Sequence, residues 1–296
     1  MKAWHWAGLT LGLLGMLLTV LLLPPGWGWS LWGSWILVAL SLWRLAQRDP
    51  GWWPPGLALV ATLLLIEGLL RGYGVPGGLI PTPSRVLLTC WTLRELLWRD
   101  VLQTFFLEAL VGLLIGAGIA GVLALLMTYV PWLQRGLLPY VAALGSVPIP
   151  AFAPVMITAF GIDWPSKAAV VAVVVLFPLL LNLVKGLTDI PPAMLDLLHS
   201  YHATPWQRLR WVRWPHALPY VFNGLKIAIT LAAIAAIAAE FMGSPSYGLG
   251  FRIRSEAGRF QFDRVWAAIV YATVGSTALF AAVVALEKRL LFWERR

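Results

Sequence analysis

Apolar stretches long enough to cross a membrane recur along the whole chain, and this feature restricts the fold more than any other. A bilayer core is crossed by about 17–25 helical residues, and in lipid only helices and closed barrels satisfy their own backbone hydrogen bonds. Barrel strands alternate polar and apolar residues, whereas these runs do not. Charged residues make up 12% of the chain, about half the fraction typical of soluble proteins. The sequence therefore predicts an all-α, polytopic helical membrane protein.

Eight membrane helices are predicted from these runs. They are Ala7–Leu23, Leu31–Ala46, Pro55–Leu70, Thr104–Met127, Gly136–Ala159, Ser166–Gly186, Pro219–Phe241 and Val265–Leu286. The first run lacks a small-x-small cleavage site before Pro24-Pro25, so we interpret it as a retained helix rather than a signal peptide. Between the last two helices, Gly243–Arg264 is predicted to form a re-entrant turn and a basic outer loop.

The formal net charge of +9 fits either a nucleic-acid partner or the basic loops of a membrane protein. Lys and Arg are spread over many short loops here, as expected for loops that flank membrane helices. We therefore expect these basic residues to flank a lipid membrane, and we expect no nucleic-acid partner. One side of the predicted topology collects more Lys and Arg than the other, which places both termini and the loop around Asp196 in the cytoplasm.

The loop around Asp196 is a polar, basic segment between two long apolar runs. Pro191-Pro192 ends the preceding helix because proline lacks a backbone donor, and Ala193–Tyr201 predicts a helix of about two turns. Thr204 followed by Pro205 is typical of an N-cap and a first-turn proline. The segment is thus predicted to form a helix, a sharp corner and a second helix.

This segment resembles the EAA loop of ABC importer permeases, in which an acidic residue precedes two small residues, a Gly follows six positions after the acid, and an apolar stretch ends in Pro. The matching positions are the acid Asp196, Leu197 and Leu198 in place of the small residues, His202 in place of the Gly, and the closing Val212, Trp214 and Pro215. In that family the loop folds as a short helix that inserts into a groove on a separate ATPase subunit. The alternative is an ordinary amphipathic cytoplasmic loop.

The resemblance implies a set of ATPase-coupling residues. They are Asp196, Leu197, Leu198, His199, Tyr201, His202, Ala203, Val212 and Pro215. We expect a positive φ at the corner, a conformation that His tolerates less well than Gly. His199 and His202 also have a spacing that metals use, but only Asp196 accompanies them, so we interpret them as loop residues and expect no metal site.

The resemblance extends over about Pro81–Leu286 and is closest to the nitrate/sulfonate/taurine branch of these permeases. The further segments that carry it are Ser146–Pro154, Phe160-Gly161, Phe177-Pro178, Asn182, Gly186-Leu187 and Gly248-Leu249-Gly250. It implies a six-helix type I ABC permease core at about 100–286, within a permease domain at 51–296 and with its cytoplasmic coupling loop at 187–218. Residues 1–50 are left as an accessory transmembrane hairpin.

Candidates for the translocation path are residues that interrupt or polarise the apolar helices. They are Pro148, Pro150, Pro154, Asn182 and Glu240. Prolines free backbone carbonyls, which is tolerated beside a cavity, although prolines are also generally commoner in membrane helices. Asn182 is equally explained by hydrogen bonding between helices. Glu240 is interpreted either as a path or gate residue, or as a carboxylate paired with Arg252 or Arg254.

The resemblance implies the permease subunit of an ATP-driven importer in the cell inner membrane. Its partners would be a second copy of the chain, an ABC ATPase subunit and a periplasmic or lipid-anchored substrate-binding protein. Gly224-Leu225-Lys226 lacks the Gly-rich loop that cradles phosphate, so we expect no catalytic residue or cofactor on this chain, and ATP and Mg on the partner ATPase.

The implied substrate is a small nutrient, either a compound like the pyrimidine precursor of thiamine or nitrate, a sulfonate or taurine. A secondary transporter is the alternative function, and it would need intramembrane charges and internal repeats, neither of which is clear in the sequence. An integral-membrane enzyme would need a clustered catalytic set, and the ionisable residues here are dispersed.

Overall fold

A computed structural model describes residues 53–292 except 79, 244 and 245, together with isolated positions between 12 and 43. Every regular element of the continuous part is helical. The first two predicted helices, Ala7–Leu23 and Leu31–Ala46, and the accessory hairpin that they would form, lie outside the continuously described residues.

The described part contains twelve α-helices and two π-helical segments. In chain order they are α1 (Trp53–Gly72), α2 (Pro83–Thr92), α3 (Arg94–Val101), π1 (Leu102–Leu110), α4 (Val111–Tyr129), α5 (Pro131–Gly145), α6 (Ile149–Phe160), α7 (Trp164–Thr188), α8 (Pro192–Ser200), α9 (Pro205–Arg208), π2 (Leu209–Arg213), α10 (Trp214–Met242), α11 (Leu249–Gly258) and α12 (Phe262–Leu290).

The chain divides into two compact units, residues 1–94 with 255–267, and residues 95–254 with 268–296. In the first unit, Glu67 on α1 accepts hydrogen bonds from the backbone N–H and the hydroxyl of Ser84 at the start of α2, at 2.8 and 2.7 Å. Arg71 forms an ion pair with the same carboxylate at 2.6 Å. These contacts fix the connection between α1 and α2 inside that unit.

Five stretches of the described chain are long and apolar enough to cross a membrane. They are Pro55–Gly72, Arg94–Tyr129, Trp164–Thr188, Pro205–Met242 and Phe262–Leu290. Each contains one of the predicted helices, so those five predictions are confirmed. The span in α7 is the most enclosed: 61% of its apolar 18-residue window is buried, whereas only 6% of the corresponding window in α12 is buried. The core of the second unit therefore lies around α7.

Close backbone approach joins α7 to its two main neighbours. A Cβ added at Gly116 on α4 would lie 2.5 Å from Val175 Cγ2 and 2.7 Å from the carbonyl oxygen of Ala172. On the other side, a Cβ at Gly224 on α10 would lie 3.0 Å from that of Asn182. Small residues at these crossings let membrane helices pack at short range, so α4, α7 and α10 form one tightly packed layer.

The predicted helix Gly136–Ala159 is not a single membrane helix, and this prediction was wrong. The chain forms α5 and α6 instead, separated by Ser146–Pro148, and α6 has only 12 residues. Pro148 has extended backbone angles, φ −59° and ψ 132°, and serves as the N-cap of α6. A proline also disfavours helical geometry at the residue before it, so Pro148 ends one helix and starts the next.

The segment Gly243–Arg264 was predicted as a re-entrant turn and loop, but most of it is helical. Residues Leu249–Gly258 form α11, and Phe260 (φ 59°) lies in the turn that leads to α12. The first backbone N–H groups of α11 are satisfied by buried side chains from other helices, which a reading of local sequence alone cannot detect.

Candidate functional site

The predicted coupling segment, residues 194–215, forms a short exposed helix followed by a capped second helix. Helix α8 has no buried residue, and Leu197 and Tyr201 expose 55% and 77% of their surface. Asp196 and His199 are exposed as well, whereas Leu198 is half-buried. An exposed apolar side chain on a helix that also carries Asp196 provides a surface to which another protein can bind.

The corner after α8 is formed by His202, which has a positive φ of 49°, as expected from its alignment with the usual Gly. Its backbone N–H donates to the His199 carbonyl at 2.9 Å, and the Ala203 N–H donates to the Leu198 carbonyl at 3.0 Å. Such bonds satisfy the last carbonyls of a helix. The corner is therefore a defined helix C-cap.

The second helix starts at the N-cap predicted from the sequence. Thr204 and Gln207 form a capping box, in which the Gln207 side chain accepts from the Thr204 N–H at 2.8 Å and the Thr204 hydroxyl accepts from the Gln207 N–H at 3.3 Å. Two backbone donors at the helix start are thereby satisfied reciprocally.

Arg208 ties the two helices together. Its Nε donates to the Ala203 carbonyl at 2.9 Å, and its guanidinium lies 2.9 Å from His199 Nε2. Because arginine can only donate, this His199 nitrogen is the acceptor. His202 Nδ1 lies 3.3 Å from the Ser200 carbonyl instead, so the two histidine rings make separate contacts. Within the described residues, no group of three or more His, Cys, Asp or Glu side chains is arranged to hold a metal.

The end of the coupling segment is anchored to the end of α7. Val212 lies in π2 and Pro215 in the first turn of α10, and both are half-buried. Between them Arg213 donates to the Leu187 carbonyl at 2.6 Å, and His216 Nδ1 lies 3.1 Å from the Gly186 carbonyl. The loop therefore returns to the helix from which it departs.

Most of the path candidates lie around the break between α5 and α6. Pro148, Pro150 and Pro154 are all exposed. A cavity of about 410 Å³ is lined by residues on both sides of the break, including Val147 and Phe152, and by Asn182. Asn182 donates its Nδ2 to the Pro178 carbonyl at 2.8 Å. Its Oδ1 and its second Nδ2 hydrogen remain the polar functions of that side chain.

Glu240 lies in a different place from the other path candidates. It is fully buried near the end of α10, accepts from the Thr104 hydroxyl at 2.7 Å, and accepts from the Gly250 N–H. The arginines suggested as its partners are engaged elsewhere: Arg252 donates to Asp100 at 2.8 Å, and Arg254 donates to the Phe241 carbonyl at 2.5 Å. Glu240 is thus part of a hydrogen-bonded cluster around the start of α11.

Three buried side chains cap three successive backbone donors at that start. The Gly248 N–H donates to Asp100 at 3.0 Å, the Leu249 N–H donates to Thr104 at 2.9 Å, and the Gly250 N–H donates to Glu240. Gly248 has a φ of 117°, and a Cβ at Gly248 or Gly250 would collide with the Glu240 carboxylate. The backbone approaches the Glu240 carboxylate so closely that positions 248 and 250 require glycine.

Sequence reasoning missed the residues that complete this cluster and the residue that joins α8 to α9. These are Asp100, Thr104, Glu108, Lys167 and Arg208. Glu108 and Lys167 are charged residues inside membrane-spanning stretches and both are buried, which is a signal for a functional position. Arg208 resembles any other loop arginine in the sequence, so no comparable signal marks it.

Comparison with known proteins agrees with this architecture. Residues 101–292 match the family described as "Binding-protein-dependent transport system inner membrane component". In the solved inward-facing structure of the MetNI methionine ABC transporter, one chain superposes with a TM-score of 0.50 at 21% identity, covering 66% of this chain and 96% of that one. At this identity the likeness concerns the fold.

Three relatives described as transport permeases match most of this chain and most of their own length. A probable ABC transporter permease from Haemophilus influenzae is 32% identical, covering 80% of this chain and 96% of the relative. The riboflavin transport system permease of Chloroflexus aurantiacus is 31% identical, covering 81% and 91%. A putative aliphatic sulfonates transport permease of Bacillus subtilis is 29% identical, covering 81% and 88%. The chain is thus a multi-pass membrane protein that belongs to the binding-protein-dependent transport system inner-membrane component family, in the nitrate/sulfonate/taurine branch of the ABC permeases.

Proposed function

We propose that this chain is the membrane-spanning subunit of an ATP-driven importer of a small nutrient, and that α8 transmits the motion of a separate ATPase subunit to it. The proposal is carried by a helix that is exposed on its surface and bonded at its C-terminal end to the segment that returns to α7. Exposure leaves Leu197 and Tyr201 available to a partner, while Arg208 connects the end of α8 to α9 and Arg213 connects π2 to the end of α7. A force applied to α8 would therefore reach the helices of the core.

The other partners follow from family membership. A second copy of the chain would complete the translocation path, and a periplasmic or lipid-anchored binding protein would deliver the solute. ATP and Mg would bind to the ATPase. Both termini and α8 would face the cytoplasm, and residues 1–50 would add an accessory hairpin to the permease domain at 51–296. Helix α10 has 29 residues, about 44 Å at 1.5 Å per residue, and this length is sufficient to cross a membrane. Helix α8 and the Glu240 cluster would therefore lie on opposite sides of the membrane.

The cavity around Asn182 supports a solute that is neutral and partly apolar. Among the described residues that line it, Asn182 carries the single polar side chain, and Phe152 and Phe177 provide aromatic surface. One Asn182 N–H donates to Pro178, so its Oδ1 would accept from the solute and its second N–H would donate to it. Because none of the described lining residues is a cation, this cavity suits a substituted pyrimidine or a flavin better than nitrate or a sulfonate, which carry a negative charge.

Loss of the ATPase from purified complexes tests the coupling role. The tagged chain is solubilised gently, and the ATPase that co-purifies is quantified for wild type, Leu197→Asp and Tyr201→Asp. We expect both variants to lose most of the ATPase, because a charge replaces an exposed apolar contact. Phe260→Asp is the matched control, since Phe260 is an equally exposed aromatic residue (73%) in the turn before α12. Equal ATPase recovery in all four preparations would contradict the proposal.

A secondary transporter is a second candidate, because Glu108, Glu240 and Lys167 are buried charged groups within spanning helices. Such groups often serve proton or ion coupling. Uptake by whole cells distinguishes the two functions. An ion-coupled transporter would stop when a protonophore or ionophore collapses the gradient while ATP is maintained, whereas an ATP-driven importer would continue.

A further inference from the structure

Glu108 and Glu240 form a buried pair of carboxyl groups that neither the coupling segment nor the cavity around Asn182 uses. Both residues are 0% exposed, and their side chains lie within hydrogen-bonding reach of each other. Two ionised carboxylates at this range repel strongly in a low-dielectric interior. Their approach therefore requires a compensating group.

The hydrogen-bond donors around the pair leave one oxygen unsatisfied. Glu240 Oε1 accepts from Thr104 and its Oε2 from the Gly250 N–H. Glu108 Oε1 accepts from Gln103 Nε2 at 3.1 Å. Glu108 Oε2 has no hydrogen-bond donor among the residues that the structure describes. A buried oxygen without a donor is costly for a carboxylate, but a proton on it would turn it into a donor.

Nearby cations do not replace that proton. Arg252 is paired with Asp100, at 2.8 Å from Nε to Oδ2. Lys167 attracts both glutamates electrostatically, but its Nζ donates to the backbone carbonyls of Ile162 and Asp163. If the pair holds one proton, the buried cluster contains two negative groups, Asp100 and one glutamate, and two positive groups, Arg252 and Lys167. One proton thus balances its charge.

The π-helical geometry of π1 builds this arrangement. Gln103, Thr104 and Glu108 lie within a segment whose hydrogen bonds run from residue i to i+5, so Gln103 and Glu108 stand on one face. Thr104 lies on the same buried side and reaches Glu240 and the Leu249 N–H. Short π-helical segments are frequent at functional sites.

We propose that Glu108 and Glu240 share a single proton, and that this acid–carboxylate pair positions the turn Gly248–Gly250 at the start of α11. The proton on Glu108 Oε2 is donated to the Glu240 carboxylate. Glu240 remains an acceptor for Thr104 and for the Gly250 N–H, and the turn is held against π1 and α10. The neighbouring groove lined by Pro150, Phe241 and Arg254 is bordered by residues of this same region.

Two substitutions separate the roles of the two glutamates. Glu108→Gln replaces the donating O–H by a donating N–H and should leave the turn in place. Glu240→Gln retains one acceptor oxygen where three donors converge, from Thr104, Glu108 and the Gly250 N–H, and should release the Gly250 N–H. Hydrogen–deuterium exchange of peptides covering 246–254 in the full-length purified chain is the measurement. We expect exchange within about twofold of wild type for Glu108→Gln and at least about tenfold faster for Glu240→Gln, the equivalent of one lost bond to a charged group.

Glu108→Ala is a further variant, because it removes the donor altogether. It should accelerate the same exchange, and Glu108→Gln is then its rescue. Glu108→Met nearly preserves the side-chain volume but has no donor, so it should accelerate the exchange as Glu108→Ala does; exchange as slow as wild type in Glu108→Met would show that residue 108 acts by packing and would overturn the proposal.

Infrared spectroscopy measures the proton directly and does not depend on the stability of Glu240→Gln. The wild-type protein near neutral pH should show the carbonyl stretch of a buried protonated carboxylic acid, with the shift on exchange into D₂O that such a group gives. Glu108→Gln should lose this band, whereas Glu67→Gln, which changes a carboxylate already paired with Arg71, should retain it. Absence of the band in wild type, or its persistence in Glu108→Gln, would show that the pair does not hold the proton.

Discussion

His202 shows how a single residue fixes the geometry of the coupling segment. Its φ of 49° lies in the left-handed region, which costs a residue with a Cβ roughly 1–2 kcal/mol and costs Gly little. His accepts this conformation and retains the C-cap bonds of α8. The departure from the family's usual Gly therefore preserves the corner at a modest energetic cost.

The effect of a substitution at His202 should depend on how readily the new residue adopts a positive φ, and not on the imidazole ring. His202→Gly should retain the co-purifying ATPase and match or exceed wild-type thermal stability. His202→Val should lower both, because a β-branched residue disfavours positive φ most strongly. Recovery of the ATPase and the unfolding temperature are measured on the same preparations. Loss of the ATPase in His202→Gly, with the unfolding temperature unchanged, would mean that the imidazole itself is required.

Single residues also show what local sequence reasoning could find. The capping box at Thr204 and the positive φ at His202 were predictable, since both depend on residues within a few positions of each other. The cap on α11 was not, because Thr104 and Glu240 are separated by 136 positions and Asp100 and Gly248 by 148. Only the folded chain brings those residues together.

At the scale of elements, α8 and α9 are connected mainly by one side chain. Arg208 contacts both the Ala203 carbonyl and His199, whereas Arg210 lies over the ring of its neighbour Trp211, at 5.6 Å from the centroid. Both are arginines of the same basic segment. Only the first connects the two helices.

Arg208→Ala should uncouple the ATPase more than Arg210→Ala does. We expect the first variant to weaken the connection by about 1 kcal/mol, discounted for partial exposure, and to reduce ATP hydrolysis by the purified complex severalfold. Exchange at residues 197–203 should rise in parallel. If Arg210→Ala reduces hydrolysis as much as Arg208→Ala, overall positive charge, and not the connection between α8 and α9, explains the effect.

The contact between α4 and α7 depends on glycine at the points of closest approach. Gly116→Ala should destabilise the protein by about 1–3 kcal/mol, because the added methyl group overlaps Val175 and the backbone of α7. Gly118→Ala is the control in the same helix, since a Cβ there meets no atom within 4 Å. Unfolding in detergent measures both. Equal stability of the two variants would mean that α4 and α7 do not pack as closely as described.

At the scale of the whole molecule, hydrophobic run length predicted five spanning helices correctly because lipid makes length and polarity decisive. The same reasoning failed for residues 136–159, where a run of sufficient length contains Pro148 and therefore breaks into two short helices. Apolar run length gave no sign of the π-helical segments, and the charged residues inside the runs, Glu108, Lys167 and Glu240, gave no sign that they lie in one cluster. Those features depend on contacts between helices, and the spacing of apolar residues along the chain does not predict such contacts.

We propose that ATP hydrolysis by a separate subunit drives transport through this chain. The most direct measurement is uptake into proteoliposomes that contain the purified chain with its co-purified ATPase, supplied with the binding protein and the ligand released from it. We expect uptake that requires hydrolysable ATP, is lost with Leu197→Asp and persists with a protonophore. Uptake by the chain alone, driven by an ion gradient and indifferent to ATP and to Leu197→Asp, would contradict it.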